Sequence, residues 1–272
     1  MEEAFYPIVG AESNLPVCVH GIGWCEYQYH VIRPEGYPLP QINYCAGGEG
    51  ILKFDGQTYA ITPGTSFFMP ENYPHEYYTK NDVWRNDWIT FAGQHYLSVL
   101  KELNLTKPII VKHTHEDKLT SCWMEMFQYL KEQTLIGNML ASGHLYEYLV
   151  EYSTQYKNSL NPHNSEHSGL NVVLDYINEH YMEELSLVEL ASLMDITPQY
   201  LCKLFRQNVG MRPFQYITKR RMQEAKHLLL QNKYTTTEVA ALVGYNDTSY
   251  FCRLFRENEQ MTPSTFIVKA TR

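Results

Sequence analysis

The sequence predicts a two-domain α+β protein: an N-terminal antiparallel β-barrel followed by helices, then an all-helical C-terminal domain with two helix–turn–helix units joined by a long helix. Three observations lead there. The chain has 272 residues, room for about two domains. Short β-like runs broken by Asp-Gly and Pro turns occupy its first ninety or so positions. A pattern in its last third then recurs at an offset of 50. Hydrophobic residues at 44 % and charged residues at 19 % exclude bulk disorder. No apolar run is long enough for a membrane span.

The start, Met1-Glu-Glu-Ala-Phe5, is acidic where a secretory signal is basic and then apolar. Six cysteines without CxxC spacing, Cys18, Cys25, Cys45, Cys122, Cys202 and Cys252, sit among apolar residues and read as reduced thiols. Both features lead to the expectation of a cytoplasmic protein. Residues 1–110 are expected to form the barrel. Ile51–Phe54 and Gln57–Ile61 flank Asp55-Gly56, a dipeptide suited to a two-residue hairpin. Thr65–Met69 and His75–Tyr78 follow as further strands, which suggests a small antiparallel barrel or sandwich.

Aromatic and polar residues are dense in this half. Arg33, Tyr44, His75, Tyr77, Trp84 and Trp88 are candidates to line a cavity for a small polar ligand, rings stacking and polar tips hydrogen-bonding. Core packing is the competing role for each, and the sequence does not show which rings point inward. The stretch Gly64-x5-Pro70-x-Asn72-x2-His75 resembles the second motif of cupin barrels, with Asn72 in place of a Gly. The first cupin motif, which carries the metal ligands, is missing: Gly36–Tyr44 holds no histidine. His75 alone cannot supply three ligands, and His113-x-His115 reads as a surface coincidence, so no metal or other cofactor is expected.

From about Leu97 the periodicity turns helical. Leu119, Trp123, Met126, Phe127 and Leu130, then Leu135, Met139, Leu140, Leu145, Tyr148 and Leu149, recur at three- and four-residue steps. Residues 111–156 are therefore expected to form a helical segment for packing or for a homodimer seam. Residues 157–169 are polar, contain Pro162 and Gly169, and read as an exposed linker to a domain over 170–272.

The charge divides at that linker. The net charge is −8 overall, but residues 1–167 hold 10 basic and 19 acidic residues while 168–272 hold 12 and 11. Lys203 to Lys226 carries seven basic residues against Glu224 alone, a band compatible with phosphate contact.

The duplicated pattern is explicit. Tyr200-Leu-Cys-Lys-Leu-Phe-Arg206 matches Tyr250-Phe-Cys-Arg-Leu-Phe-Arg256, and Met211-x-Pro213 matches Met261-x-Pro263. Ser186-x-x-Glu189 and Thr235-x-x-Glu238 are capping boxes that open the first helix of each copy. Thr197-Pro198 opens the second helix of copy one. Leu201, Leu204 and Phe205 share one face of that helix, with Phe251, Leu254 and Phe255 their counterparts. Gln199, Cys202 and Lys203 share the other, matched by Ser249, Cys252 and Arg253, side chains suited to base edges in a major groove. Thr197, Arg206, Lys219, Arg220 and Arg256 suit phosphate contact. A continuous helix over Pro213–Gln231 would hold the two copies apart, letting them enter successive grooves about 34 Å apart.

Residues 185–266 resemble the DNA-binding domain of the AraC/XylS transcription regulators. The resemblance rests on Glu189-Leu-Ala, Tyr200-Leu-x-x-Leu-Phe, Gly210-Met, Arg221-x3-Ala225-x-x-Leu-Leu229, Val243-Gly-Tyr245 and Ser249-Tyr-Phe-x3-Phe255. Tyr29-x3-Arg33-Pro-x-Gly36 and His75-x-Tyr-Tyr78 look like the cupin sensor that accompanies it. The resemblance implies that Gln199, Cys202, Lys203, Thr248, Ser249, Cys252 and Arg253 face DNA bases. Two departures stand out: Gln260, where Gly is common, and Asp247, either a charge near phosphates or a helix N-cap.

The implied function is a non-enzymatic, ligand-responsive activator that binds double-stranded promoter DNA, contacts RNA polymerase, and responds to a small-molecule effector, plausibly a sugar. A regulator whose barrel only dimerises, and a barrel enzyme with a DNA-binding tail, are the alternatives.

Overall fold

The computed structural model describes residues 2–113, 117–134, 136–160 and 165–270, the side chains of 81, 82, 117 and 165–168 excepted. His115, Leu135 and the Asn161–Asn164 part of the expected linker lie outside them. The chain divides into two compact units, 1–162 and 163–272.

The first unit is built on one antiparallel sheet. Strands β1 (Glu2–Phe5), β2 (Cys18–Cys25), β7 (His75–Ala92), β4 (Gln41–Phe54), β6 (Thr65–Met69) and β8 (Ile109–Lys112) lie side by side in that order; β3 (Val31–Arg33) pairs with β7 and β5 (Gln57–Ile61) with β4. The Asp55-Gly56 turn forms as its composition predicts, with φ of 50° and 71° at the two residues and Phe54 opposite Gln57. β7 runs far beyond the expected strand end at Tyr78. Its far half carries a polar run, Asn86-Asp87, that alternation does not flag, and it is held by ladders to β2 and β4 on either side.

The period of two sorts the sheet into two faces. Ile22, Ile42, Phe68, Ile89 and Phe91 face the helices, while Cys45, Phe67, Met69, Tyr77 and Trp84 pack inside the barrel. After α1 (Tyr96–Glu102) and β8, the expected helices form as α2 (Asp117–Lys131) and α3 (Gly137–Leu160). They bury Trp123, Met126, Leu145, Leu149 and Tyr152 on the sheet. Met139 and Leu140 fall off that face and are exposed.

Two expectations need correction here. The pair reading of His113 as a surface residue fails, because the ring is buried and bonds Ser66 Oγ and Gln155 Oε1 at 2.6 Å each. The linker reading of 157–169 fails at both flanks. α3 continues to Leu160 and α4 (Ser165–His180) begins four residues before Gly169. The apolar anchors of α4, Leu170, Val173 and Ile177, lie beyond the polar run that suggested a connection.

The second unit is entirely helical among the described residues: α4, α5 (Leu187–Ser192), α6 (Pro198–Asn208), α7 (Pro213–Leu230), α8 (Thr236–Leu242), α9 (Thr248–Glu259) and α10 (Pro263–Ala270). Both capping boxes are present. Glu189 N–H donates to Ser186 Oγ at 3.1 Å and Glu238 N–H to Thr235 Oγ1 at 3.2 Å. Each copy has its own core, around Leu190, Leu201 and Phe205 in the first and Val239, Phe251 and Phe255 in the second. α7 belongs to both, giving Ile217 to one and Met222, Ala225 and Leu229 to the other. A helix shared by two cores is a stiff connector. The turn inside each unit needs a left-handed residue, supplied by Asp195 (φ 53°) and Gly244 (φ 85°). A Cβ on Gly244 would meet the Met182 carbonyl oxygen at 2.3 Å, so only glycine fits the second copy. Gln260 does take the left-handed conformation (φ 56°) that Gly210 takes in the first copy.

Candidate nucleic-acid interface and ligand chamber

α6 and α9 are amphipathic at the same offset as their sequences. Leu201 and Phe205 below α6, and Phe251 and Phe255 below α9, are fully buried. Gln199 and Lys203 stand exposed on α6, as do Ser249 and Arg253 on α9; Cys202, Thr248 and Cys252 are half-buried beside them. In both copies the cation lies against the tyrosine three residues earlier. Lys203 Nζ is 5.8 Å from the Tyr200 ring centre and Arg253 Cζ is 5.1 Å from that of Tyr250. This contact limits the rotamers of both cationic heads. Gln199, Cys202, Lys203 and Arg206 line one concavity together with Arg212 and Phe214.

The residues expected at phosphates divide. Arg206, Arg256 and Lys219 are exposed. Thr197 accepts from Tyr200 N–H at 3.3 Å as the N-cap of α6. Arg220 is engaged internally, bonded to Glu224 at 3.1 Å and stacked 4.5 Å over Tyr181. Asp247 caps α9, accepting from Ser249 and Tyr250 N–H at 2.7 and 3.1 Å, which resolves its role in favour of the helix end.

Sequence reasoning placed Arg221 in the basic band and in the family motif but missed what it contacts. Its guanidinium donates to three backbone carbonyls, those of Tyr181 (2.6 Å), Glu183 (2.7 Å) and Gly244 (3.0 Å), and lies 4.9 Å over Tyr245. It ties the end of α4 to the turn of the second copy. Arg212 was also missed as a member of the α6 concavity; no spacing rule singles out a loop arginine.

The barrel carries a partly open chamber of about 460 Å³ lined by Arg33, Tyr37, Gln41, Asn43, Tyr77 and Trp88, with Glu2, Glu3 and Tyr6 of the N-terminal arm at its side. Of the sequence candidates, Arg33, Tyr77 and Trp88 are among its lining residues. The other three are not. Tyr44 shares the face of Ile42 and points to the helices, its ring 6.0 Å from His113. Trp84 is fully buried core between Phe67 and Tyr77. His75 stands one shell back: Gln41 Nε2 is 2.7 Å from His75 Nε2, Arg33 donates to Gln41 Oε1 at 2.7 Å, and His75 Nδ1 is 2.6 Å from the Tyr73 carbonyl oxygen. A carbonyl only accepts, so the proton sits on Nδ1 and Nε2 accepts from Gln41. The relay fixes the Arg33 head, which also lies 4.3 Å over Tyr37.

At the floor, Asn86 Nδ2 donates to Gln28 Oε1 at 2.8 Å and to Asn43 Oδ1 at 3.0 Å. Asn43, 1 % exposed, has no protein partner for its Nδ2 and lines the chamber. A buried amide donor in that state favours a ligand oxygen. Trp88 packs against β2 because Gly21 and Gly23 leave it room; a Cβ on Gly23 would meet the indole at 2.8 Å. The Gly21-x-Gly23 pair is the sequence signal that could have marked this platform.

Burial, with the nearby Arg33 charge adding to it, lowers the His75 pKa below 6.5. The folded ring is therefore neutral while the unfolded chain takes up a proton near pH 6.5. Its contribution to stability is fully present above that value and lost as pH falls below it. The first unit is expected to melt at lower temperature at about pH 5.5 than at about pH 7.5, with a smaller difference in His75→Gln. Equal pH slopes in the two proteins would refute the neutral assignment.

Residues 190–268 match the family described as "Helix-turn-helix domain" and residues 19–149 that described as "AraC-like ligand binding domain". The chain belongs to the AraC/XylS family. Three relatives span most of this regulator. The Msm operon regulatory protein of Streptococcus mutans is 26 % identical over 211 residues, covering 76 % of each chain. The lactose operon transcription activator of Staphylococcus xylosus is 22 % identical over 242 residues, covering 87 % of this chain and 84 % of its own. The raffinose operon regulatory protein RafR of Pediococcus pentosaceus is 23 % identical over 212 residues, covering 76 % of each. The regulator is thus a DNA-binding transcription factor with a ligand-binding domain. Among the described residues no helix is long and apolar enough to cross a membrane.

Proposed function

We propose that this regulator activates promoters by binding duplex DNA through α6 and α9 and contacting RNA polymerase, and that a neutral carbohydrate in the barrel chamber is its effector. The chamber carries the effector reading. Trp88 offers a flat apolar platform, Asn43 Nδ2 a buried donor without a protein partner, and Arg33 a cation already held by Gln41. With Glu2 and Glu3 at the side, an anionic ligand is disfavoured and a polyhydroxylated one suited. The names of the lactose and raffinose operon relatives point the same way.

On the DNA side, Gln199, Cys202 and Lys203 with Thr248, Ser249, Cys252 and Arg253 would read bases, and Arg206, Arg256 and Lys219 would hold phosphates. A homodimer is supported by α3, whose Met139, Gly143, Tyr146 and Val150 stand exposed at heptad-like steps. The test is thermal melting of the full chain with lactose, raffinose and their monosaccharides, alongside binding to selected oligonucleotides. A sugar at 100 times its dissociation constant should add about 2.7 kcal/mol of stability, and Trp88→Ala should abolish that gain. If no sugar shifts the melt, the effector reading fails and the barrel is left with dimerisation.

A further inference from the structure

Outside both sites, α2 and α3 bring together a thiol, an imidazole and a carboxylate. Cys122 lies midway along α2, and His144 and Glu147 stand three residues apart on one face of α3. One ligand atom from each lies within 4.8 Å of the other two. We propose that Cys122, His144 and Glu147 form a site for a soft divalent cation, with Zn(II) the best fit and water as fourth ligand.

The donor set suits zinc. Thiolate, imidazole and carboxylate are its usual ligands, and three protein ligands with one open position is a common arrangement. The geometry is partly prepared. The His144 ring stacks on Tyr129 at 5.7 Å and 20°, which orients Nδ1 toward Glu147 Oε2, 3.8 Å away. Cys122 is buried in the helix–sheet core, with its Sγ within 4.8 Å of the Glu147 carboxylate. That carboxylate already holds a cation: Lys118 Nζ is 3.0 Å from Glu147 Oε1. Both partners of this pair are about half exposed (57 % and 47 %), so the pair contributes little and a metal can displace it. Binding moves the thiol proton to solvent and frees the Lys118 head to water; no electron changes hands. The metal would bind α2 to α3, stiffening the pair that carries the exposed apolar face of α3.

The experiment uses the full chain, reduced and treated with chelator, titrated with Co(II) and then Zn(II). The expected result is a thiolate-to-cobalt charge-transfer band with tetrahedral visible absorption, both bleached by Zn(II). Cys122→Ser and the half-exposed His144→Gln should each weaken binding roughly a hundredfold or more. Lys118→Gln, which removes the competing cation, should tighten it roughly three- to tenfold. A surface ion pair with no metal role predicts no such gain. Absence of the band, its persistence in Cys122→Ser, or unchanged affinity in Lys118→Gln would overturn the proposal.

Discussion

Replacing Arg221 by alanine is expected to destabilise the C-terminal unit by about 3 kcal/mol or more, the largest single effect of any polar substitution there. Three carbonyls, of Tyr181, Glu183 and Gly244, lose their shared donor, and Tyr245 loses its stacked cation. The charge does not explain the effect, because one ammonium cannot reach three acceptors spread over two chain segments. Arg221→Lys should therefore recover only a minor part. Urea unfolding of the full chain, followed by far-ultraviolet circular dichroism, checks both variants. Full recovery by lysine would mean that charge alone, and not the planar fork, holds the α4 end to the second turn. The variant should also lose DNA affinity near its melting temperature while the concavity beside α6 is left chemically intact.

The second large effect concerns DNA. Lys203→Ala and Arg253→Ala should each cost about 1–3 kcal/mol of specific binding and relax discrimination at one base position. Their matched stacking on Tyr200 and Tyr250 predicts that the two losses are similar and, for units with separate cores, nearly additive. Arg206→Ala should weaken all sequences alike and reduce the salt slope by about one. Competition binding over a selected-oligonucleotide pool at two salt concentrations separates the classes. If all three variants lose affinity uniformly, the division into reading and anchoring side chains is wrong.

Legibility differed between the halves for a physical reason. In the C-terminal unit, signals are local: a capping box spans four residues and a helix face repeats every three or four. Ser186, Thr197, Thr235 and the pairs Leu201/Phe251 and Phe205/Phe255 could be placed without knowing the rest of the chain. Local signals failed where a side chain works at a distance, as Arg221 does across 40 positions to Tyr181. In the barrel, partners are remote and each strand residue has two faces. Tyr44 and Trp84 look as suited to a cavity as Tyr77 and Trp88, yet one faces helices and another fills the core. Gln41 and Asn43, less conspicuous than the rings, supply the chamber's polar contacts.

The amino-acid order by itself determined the duplicated helix–turn–helix, its capping boxes, the buried and exposed faces of α6 and α9 and the Asp55-Gly56 hairpin, because these depend on neighbours within a few residues. Only the tertiary structure decided which aromatic rings border the chamber, how Arg33 is held through Gln41 and His75, and what Arg221 joins. Those outcomes depend on strand register and on pairing between segments tens of residues apart, where a shift of one position turns every side chain to the opposite face.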